Sequence, residues 1–436
     1  MNKKIIFLLL IFICISVVFT QNIFTEPGDN LTIKIAVIGP GDQLYFWWGH
    51  IALIIEDVDT GWNVFYDYGI FDFDDDNFFY NFAFGRLLYC CGASFAELQI
   101  EHYKRTNRDV IIYTLDLPAL TKLKVKQFAD VNILPENRDY FYHHFKDNCS
   151  TRIRDIIDLA TDGQLKKQFE NQISKFTLRD HVRRHTWFAP AEDWFLNFLM
   201  GQVIDTPLTL WDDMFLPSEV GKLINDFYYV DINGERRKLV SSAETISTAV
   251  DRPMVLEKPR AQWIYLLTFS LVLSVIFGFF FYLQMKKVKA GRILSGISMS
   301  ICGLVFGLAG LVLYFMALFT NHDYTFQNSN MIFCSPLLLV SAVIGIMYAF
   351  TKNAKKLFKY DQLIRLVWVL CAAGIIISMV IKLLPWFYQK NLADQMLLLP
   401  VALVFALNPV GLKEVKEKYF PVKNQKKSDK KRKRRK

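Results

Sequence analysis

Residues 263–412 constrain this chain most, because they hold five apolar runs between short polar connections: 263–283, 293–319, 331–350, 366–384 and 396–412. Each is near or above the roughly 18 residues that mark a membrane span, the last being the shortest. In hydrocarbon every backbone N–H and C=O must be paired within its own segment, so the runs predict an all-α membrane bundle of about five helices. The last run carries Pro400 and the pair Asn408-Pro409, and a kink is expected there. Charge sets the orientation. The connections KKVKAGR (286–292) and TKNAKKLFKYDQLIR (351–365) are strongly basic, whereas TNHDYTFQNSN and PWFYQKNLADQ hold one lysine between them. Basic connections stay in the cytoplasm, which places everything before residue 263 outside and the C-terminus inside.

The N-terminus makes the same demand. Lys3 and Lys4 precede the apolar run IIFLLLIFICISVVFT, the pattern of a signal peptide over residues 1–20, with a cut after Thr20. The formal charge of +9 has a local origin: residues 423–436 hold ten basic side chains and one acid, Asp429. The remainder is neutral, so a nucleic-acid partner is not expected. A basic tail directly after a membrane exit serves anionic lipid or topology. No zinc-spaced cysteine pairs, Walker loop or dinucleotide glycine motif occur, and neither a metal nor a cofactor is expected.

Of seven cysteines, only Cys90, Cys91 and Cys149 lie in the exported part. Three thiols, two of them adjacent, do not make a disulfide framework, and neighbours in sequence are poorly placed to bridge. Cys149 stands apart. Asn148 before it is a strong helix N-cap, and Ile153, Ile156, Ile157 and Ala160 follow at helical spacing. A thiol at the positive end of a helix dipole is the usual presentation of a cysteine nucleophile.

A nucleophile needs a base, and the base needs an orienting group. Residues 21–230 form the exported domain and 231–260 a polar tether. The domain opens with a strand at 31–40 and a hairpin of strands 50–55 and 64–68. His50, at the hairpin entry after Gly49, is the best-placed base. Asp67 on the second strand is the orienting choice, with Tyr68 and Asn63 as alternatives. His143 and His144 read as solvated, and His102, His181 and His185 as surface residues. A helix over 95–105, a strand over 109–117 and a helix over 120–134 follow. Beyond Ala160 the helices 176–184, 194–201 and 218–227 are expected. The carboxylates Asp72, Asp74, Asp75 and Asp76 lack the glycine and closing glutamate of a calcium loop, so residues 71–85 read as an aromatic-anchored turn.

The order histidine, polar residue, cysteine resembles circularly permuted NlpC-type hydrolases and lecithin:retinol acyltransferases, through WGHIAL and NCST. That resemblance implies an α+β permuted papain-like exported domain. A closer resemblance covers nearly the whole chain. GHIAL, YDYGIFDF, NFFYNFAFGRLLY, HYKRTNRDV, FKDNCSTRIRD, MGQVID and MFLP resemble, in order, the exported domain of Lnb-type bacterial lipoprotein N-acyltransferases, and the external loop HDYTFQNSN followed by Pro336 resembles their membrane half. Ser150 stands where that family would place alanine. The resemblance implies catalytic Cys149 and His50, with Asp67 third. It implies a bacterial inner-membrane enzyme with a periplasmic catalytic domain. That enzyme moves a fatty acyl chain from a membrane phospholipid, through a Cys149 thioester, to the α-amine of a diacylglyceryl-cysteine lipoprotein. The residues alone leave the acceptor open, and an NlpC-type cysteine peptidase or amidase acting on murein or peptides is the alternative. Candidate oxyanion or orienting groups are the Cys149 N–H, Tyr68, Tyr140, Tyr142 and Asn148. His322, Asn328 and Asn330 are candidate substrate-binding residues in the external loop.

Overall fold

The computed structural model describes residues 26–71 and 77–410. The signal segment, the Asp72 to Asp76 cluster and the basic tail lie outside the described residues. The chain divides into two compact units, and it passes between them several times.

The first unit comprises Leu88–Gln172 and Thr209–Arg252 together with the chain up to Asp72. Its centre is an antiparallel sheet of seven strands. These are β1 (Leu31–Ile38), β2 (His50–Asp57), β3 (Trp62–Ile70), β4 (Leu88–Phe95), β5 (Val110–Leu115), β6 (Asp139–Phe141) and β9 (Val240–Ser247). They lie in the order β6-β4-β3-β2-β1-β5-β9. β7 (Tyr228–Val230) and β8 (Arg236–Lys238) make a separate hairpin. Successive side chains of a strand point to opposite faces, and β2 is apolar on both. Ile51, Leu53 and Ile55 join one core with Cys149, Ile153, Ile156 and Ile157. Ala52 and Ile54 join a second with Phe65, Ala96 and Tyr103.

Helix α1 (Ala96–Arg105) contributes to that second core. α2 (Ala119–Asn132), α3 (Cys149–Ala160) and α4 (Pro217–Asn225) bury residues in the first. α3 is amphipathic, with Ile153, Ile156, Ile157 and Ala160 all buried.

Two stretches differ from the sequence reading. Residues 231–260, expected as a tether, contain β8 and β9, and β9 completes the sheet beside β5. β9 is an edge strand with mostly exposed side chains, so it shows no apolar alternation. β4 was not expected either. Its LYCCGASF sequence buries only Cys91 fully.

The second unit comprises Phe73–Leu87, Ile173–Leu208 and the chain from Pro253 onward. Three of its helices are long and apolar enough to cross a membrane: α5 (Gln262–Met285), α6 (Lys289–Phe319) and α8 (Ala354–Ile381). α7 (Leu338–Phe350) and α9 (Leu392–Ala406) are apolar but shorter. The run read as 331–350 opens with a 3₁₀ turn at Ser329–Ile332, and α7 starts only beyond Pro336. The run read as 366–384 extends backward, because the basic connection is itself helical from Ala354 and capped by Asn353. α9 accommodates Pro400 in its interior.

Hydrocarbon supplies no hydrophobic drive between helices, so small residues and polar contacts hold them together. A Cβ on Gly303 of α6 would come within 2.6 Å of the Ala342 nitrogen on α7, and one on Gly296 within 2.6 Å of the Gly345 oxygen. Ser341 Oγ donates to Met299 O at 3.1 Å and accepts from Trp368 Nε1 at 2.9 Å, joining α6, α7 and α8.

Candidate active site

Cys149 is the first residue of α3, and the cap before it is fully engaged. Asn148 Oδ1 accepts from the Ser150 and Thr151 N–H groups, each at 2.9 Å, while Thr151 Oγ1 accepts from Asn148 N–H at 2.8 Å. Asn148 Nδ2 donates to His144 O and Phe215 O. The approach to the helix is braced by a bidentate pair, Arg152 on Asp147 at 2.6 and 2.8 Å, with the guanidinium 4.2 Å over the Tyr140 ring. The first N–H groups of a helix have no intrahelical partner. The cap takes those of Ser150 and Thr151 and leaves the Cys149 N–H outside the box, beside its own thiol.

His50 opens β2. Gly49 before it has φ +82, and a Cβ there would lie 2.6 Å from Ile38 O, so only glycine lets the chain turn into the strand at this point. His50 Nε2 bonds Asp67 Oδ1 at 2.9 Å across the β2–β3 pair. Gly69, two residues beyond Asp67 on the same face, fixes the meeting of base and nucleophile. A Cβ built on it would stand 3.5 Å from His50 Cε1, 3.6 Å from Cys149 Cβ and 3.9 Å from Asp67 Oδ1. Imidazole, thiol and carboxylate thus converge on the space that the missing side chain leaves. The sheet ladder is irregular between Tyr68 and Ile70. Such bulges bend a strand and re-aim its side chains.

Electrostatics reinforce this convergence. Burial opposes charge on His50, but Asp67, then Tyr103 and Cys149, outweigh it and hold the imidazole pKa well above the usual histidine value. Burial and the Cys149 charge raise the hydroxyls of Tyr140 and Tyr142 above their ordinary range and push that of Tyr89 up to about 12. Burial raises that of Tyr103, whose ring centre lies 6.3 Å from that of His50. Tyr89 and Tyr142 stack at 4.2 Å. These phenols are therefore neutral, and the Tyr140 hydroxyl has no hydrogen-bond partner among the described residues. The other exported thiols differ: burial pushes Cys91 up to about 12, and it packs in the core. Cys90 points to the opposite face.

Two family models match the sequence, the Lnb N-terminal periplasmic domain over residues 24–185 and the Lnb transmembrane domain over residues 261–404. The chain belongs to the Lnb family. No curated protein and no solved structure matches it. Membership makes it a lipoprotein N-acyltransferase that transfers an acyl chain through a thioester, acting on membrane lipid and lipoprotein. It resides in the inner membrane with a periplasmic domain. The α/β unit followed by apolar helices is the architecture of that family.

In this Lnb protein the structure brings together His50, Asp67, Cys149, Tyr140 and Tyr142. Tyr68 lies in the same core as Cys149 and lines a pocket with Asp147 and Arg152. Asn148 is present as a cap, with its side-chain oxygen and nitrogen both spent on backbone. His322, Asn328 and Asn330 belong to the other unit and are buried. Asn328 Nδ2 donates to Phe198 O and Leu199 O, and Asn330 Nδ2 to Phe198 O and Asp394 Oδ2. His322 bonds Phe82 O and Tyr324. These three side chains lock segments of their own unit together.

His181 and His185, read as surface residues, are buried, and burial pushes His185 down to about 4. Their helix Leu178–Thr186 looks solvent-facing in sequence because its Arg179 is charged. That guanidinium is in fact buried against Asp205, Asn197, Met200 and Gly201.

Sequence reasoning passed over Tyr89, Tyr103 and Arg108. All three lie inside the segments FGRLLY and HYKRTNRDV that carry the resemblance. An aromatic and an arginine in otherwise polar, helical surroundings were the available signal.

Proposed function

We propose that Cys149 carries the acyl chain, with His50 as its base and acid and Asp67 as the group that orients His50. The convergence of thiol, imidazole and carboxylate on Gly69 supports this reading most directly. Asp67 occupies Nε2, which leaves Nδ1 to exchange protons with the thiol. Nδ1 takes the Cys149 proton, and the thiolate attacks an acyl ester carbonyl of a membrane phospholipid. A C–S bond forms, the C–O bond breaks, and the imidazolium protonates the departing lysophospholipid oxygen. The α-amine of the diacylglyceryl-cysteine then attacks the thioester and gives its proton to His50. The C–N bond forms as the thiolate leaves.

The tetrahedral oxyanion of each step sits near the Cys149 N–H, which the Asn148 cap does not use, and the Tyr140 hydroxyl, unpartnered among the described residues. Donors of this kind are each worth about 3 kcal/mol when preorganised. The raised pKa of His50 suits it to hold the proton it takes until the leaving oxygen needs it. The basic connections 286–292 and 351–365 support a cytoplasmic C-terminus.

Mass spectrometry of the full protein in detergent with a phosphatidylethanolamine donor tests the reading. The expected result is a mass gain of one acyl group on the Cys149 peptide, discharged by a diacylglyceryl-cysteine peptide and absent in C149A. Acylation that persists in C149A would overturn it.

A further inference from the structure

Arg108 is a buried charged side chain beside the site that the mechanism leaves unused. It follows α1 in the turn to β5 and is 2% exposed. Nε donates to Gly39 O at 2.9 Å. The guanidinium carbon lies 4.7 Å from the Phe46 ring centre and 5.0 Å from that of Tyr103, so the cation packs against two rings. Nη2 has no hydrogen-bond partner among the described residues. A buried cationic N–H left unpaired costs more than a neutral one, and such a group calls for a ligand.

The position indicates the ligand. Tyr103, against which the guanidinium packs, is the ring beside His50. Arg108 and His50 both lie against the Tyr103 ring, which places the cation near the base. Phe46 belongs to the segment that enters β2, where Leu44 and Tyr45 expose apolar surface. Arg252 is a second cation close by, tied to Asn107 O, Thr106 O and Asp42. A buried cation with one N–H group unpaired, close to the base and to exposed apolar side chains, suits an amphiphile with an anionic group a few bonds from its ester. A glycerophospholipid has that constitution.

We infer that Arg108 binds the phosphodiester of the acyl-donor lipid and so sets the ester carbonyl at Cys149. This rests on the phospholipid-donor reading above. In the complex, Nη2 donates to a non-bridging phosphate oxygen, the acyl chains lie along Leu44 and Tyr45, and neutral diacylglycerol is a poorer donor because the cation stays unpaired.

The test compares two donors with the same acyl chains, phosphatidylethanolamine and diacylglycerol, by the rate of Cys149 acylation in the full-length protein in detergent micelles. Wild type should prefer the phospholipid. R108Q should lose about 10- to 100-fold with the phospholipid and little with diacylglycerol, so that the preference collapses. R108K, which keeps the charge, should retain part of it. A second measurement adds a competitor: soluble glycerophosphoethanolamine should slow acylation of wild type by the phospholipid and slow that of R108Q far less. Equal losses of R108Q on both donors, with no inhibition by glycerophosphoethanolamine, would mean that Arg108 only supports Tyr103 and would overturn the inference. Wild type acylated by neither lipid would instead refute the donor reading, and the inference with it.

Discussion

Asp67 acts on His50 through one hydrogen bond, and its removal has a signed pH consequence. The His50 pKa is raised, against burial, mainly by Asp67. The charged imidazole therefore contributes stability that is fully present below about 6.5, the unfolded histidine value. That contribution is lost as pH rises through the folded value. D67N removes the contribution, so the melting-temperature gap between wild type and D67N should be widest near pH 6 and close on the alkaline side. The alkaline limb of Cys149 acylation should move to lower pH in D67N, and the maximal rate should fall by roughly one to two orders of magnitude. An unchanged limb would assign the elevation of His50 to Tyr103 instead. Gly69 makes a second test at this scale. In G69A the new methyl enters the space shared by His50 and Cys149, at a φ of +155 that side chains rarely adopt. Acylation should drop at least tenfold, about 1.4 kcal/mol, with the sheet retained by circular dichroism.

At the level of elements, α3 and its cap are what a reader of the sequence could foresee. Asn148, the isoleucine spacing and the hairpin with His50 and Asp67 are all local signals, and each is realised in the structure. What stayed hidden was non-local. β4 and β9 pair with partners far along the chain, and edge or half-exposed strands carry no apolar alternation to betray them. Tyr89 and Tyr103 reach the site only because β4 and α1 flank β3, a topological fact with no local trace. His181 looked solvated because charge in a helix usually means water, yet Arg179 finds Asp205 and three backbone carbonyls inside the protein. The cap itself is testable. N148A deletes the acceptor for two N–H groups and the bonds to His144 O and Phe215 O. It should cost about 1–2 kcal/mol in denaturant unfolding. It should also lower acylation by more than that loss explains, because the start of α3 places the nucleophile. N148D keeps the acceptor and should recover most of the lost stability while still lacking the two donated bonds.

On the scale of the whole molecule, the chain weaves between its two units, and its crossings are closed at their roots. Ile70 on β3 pairs with Cys90 on β4, so the excursion through 73–87 leaves and re-enters the sheet at neighbouring strands. Leu210 N–H donates to Gln172 O at 2.8 Å, closing the excursion through 173–208 in the same way. Each excursion is organised by the membrane unit. Phe198 and Leu199 share a core with Phe306, Leu313 and Phe333, and Asn321 N–H donates to Phe84 O at 2.9 Å. A protein that ends at Arg252 therefore keeps the sheet but strips both excursions of their packing. Burying one such phenylalanine is worth about 1.5–3 kcal/mol, and the buried Arg179–Asp205 pair would lose its dry surroundings. Limited proteolysis should cut that truncation within 173–208 first, whereas the full-length protein in detergent resists there. Replacing 73–87 and 173–208 with short Gly-Ser linkers should then give a soluble, protease-resistant unit, because the roots already lie together and loop closure grows only slowly with length. That unit should still contain the His50–Asp67–Cys149 arrangement. If it instead unfolds while the truncation with intact excursions stays folded, the excursions belong energetically to the sheet, and the division into two units is wrong.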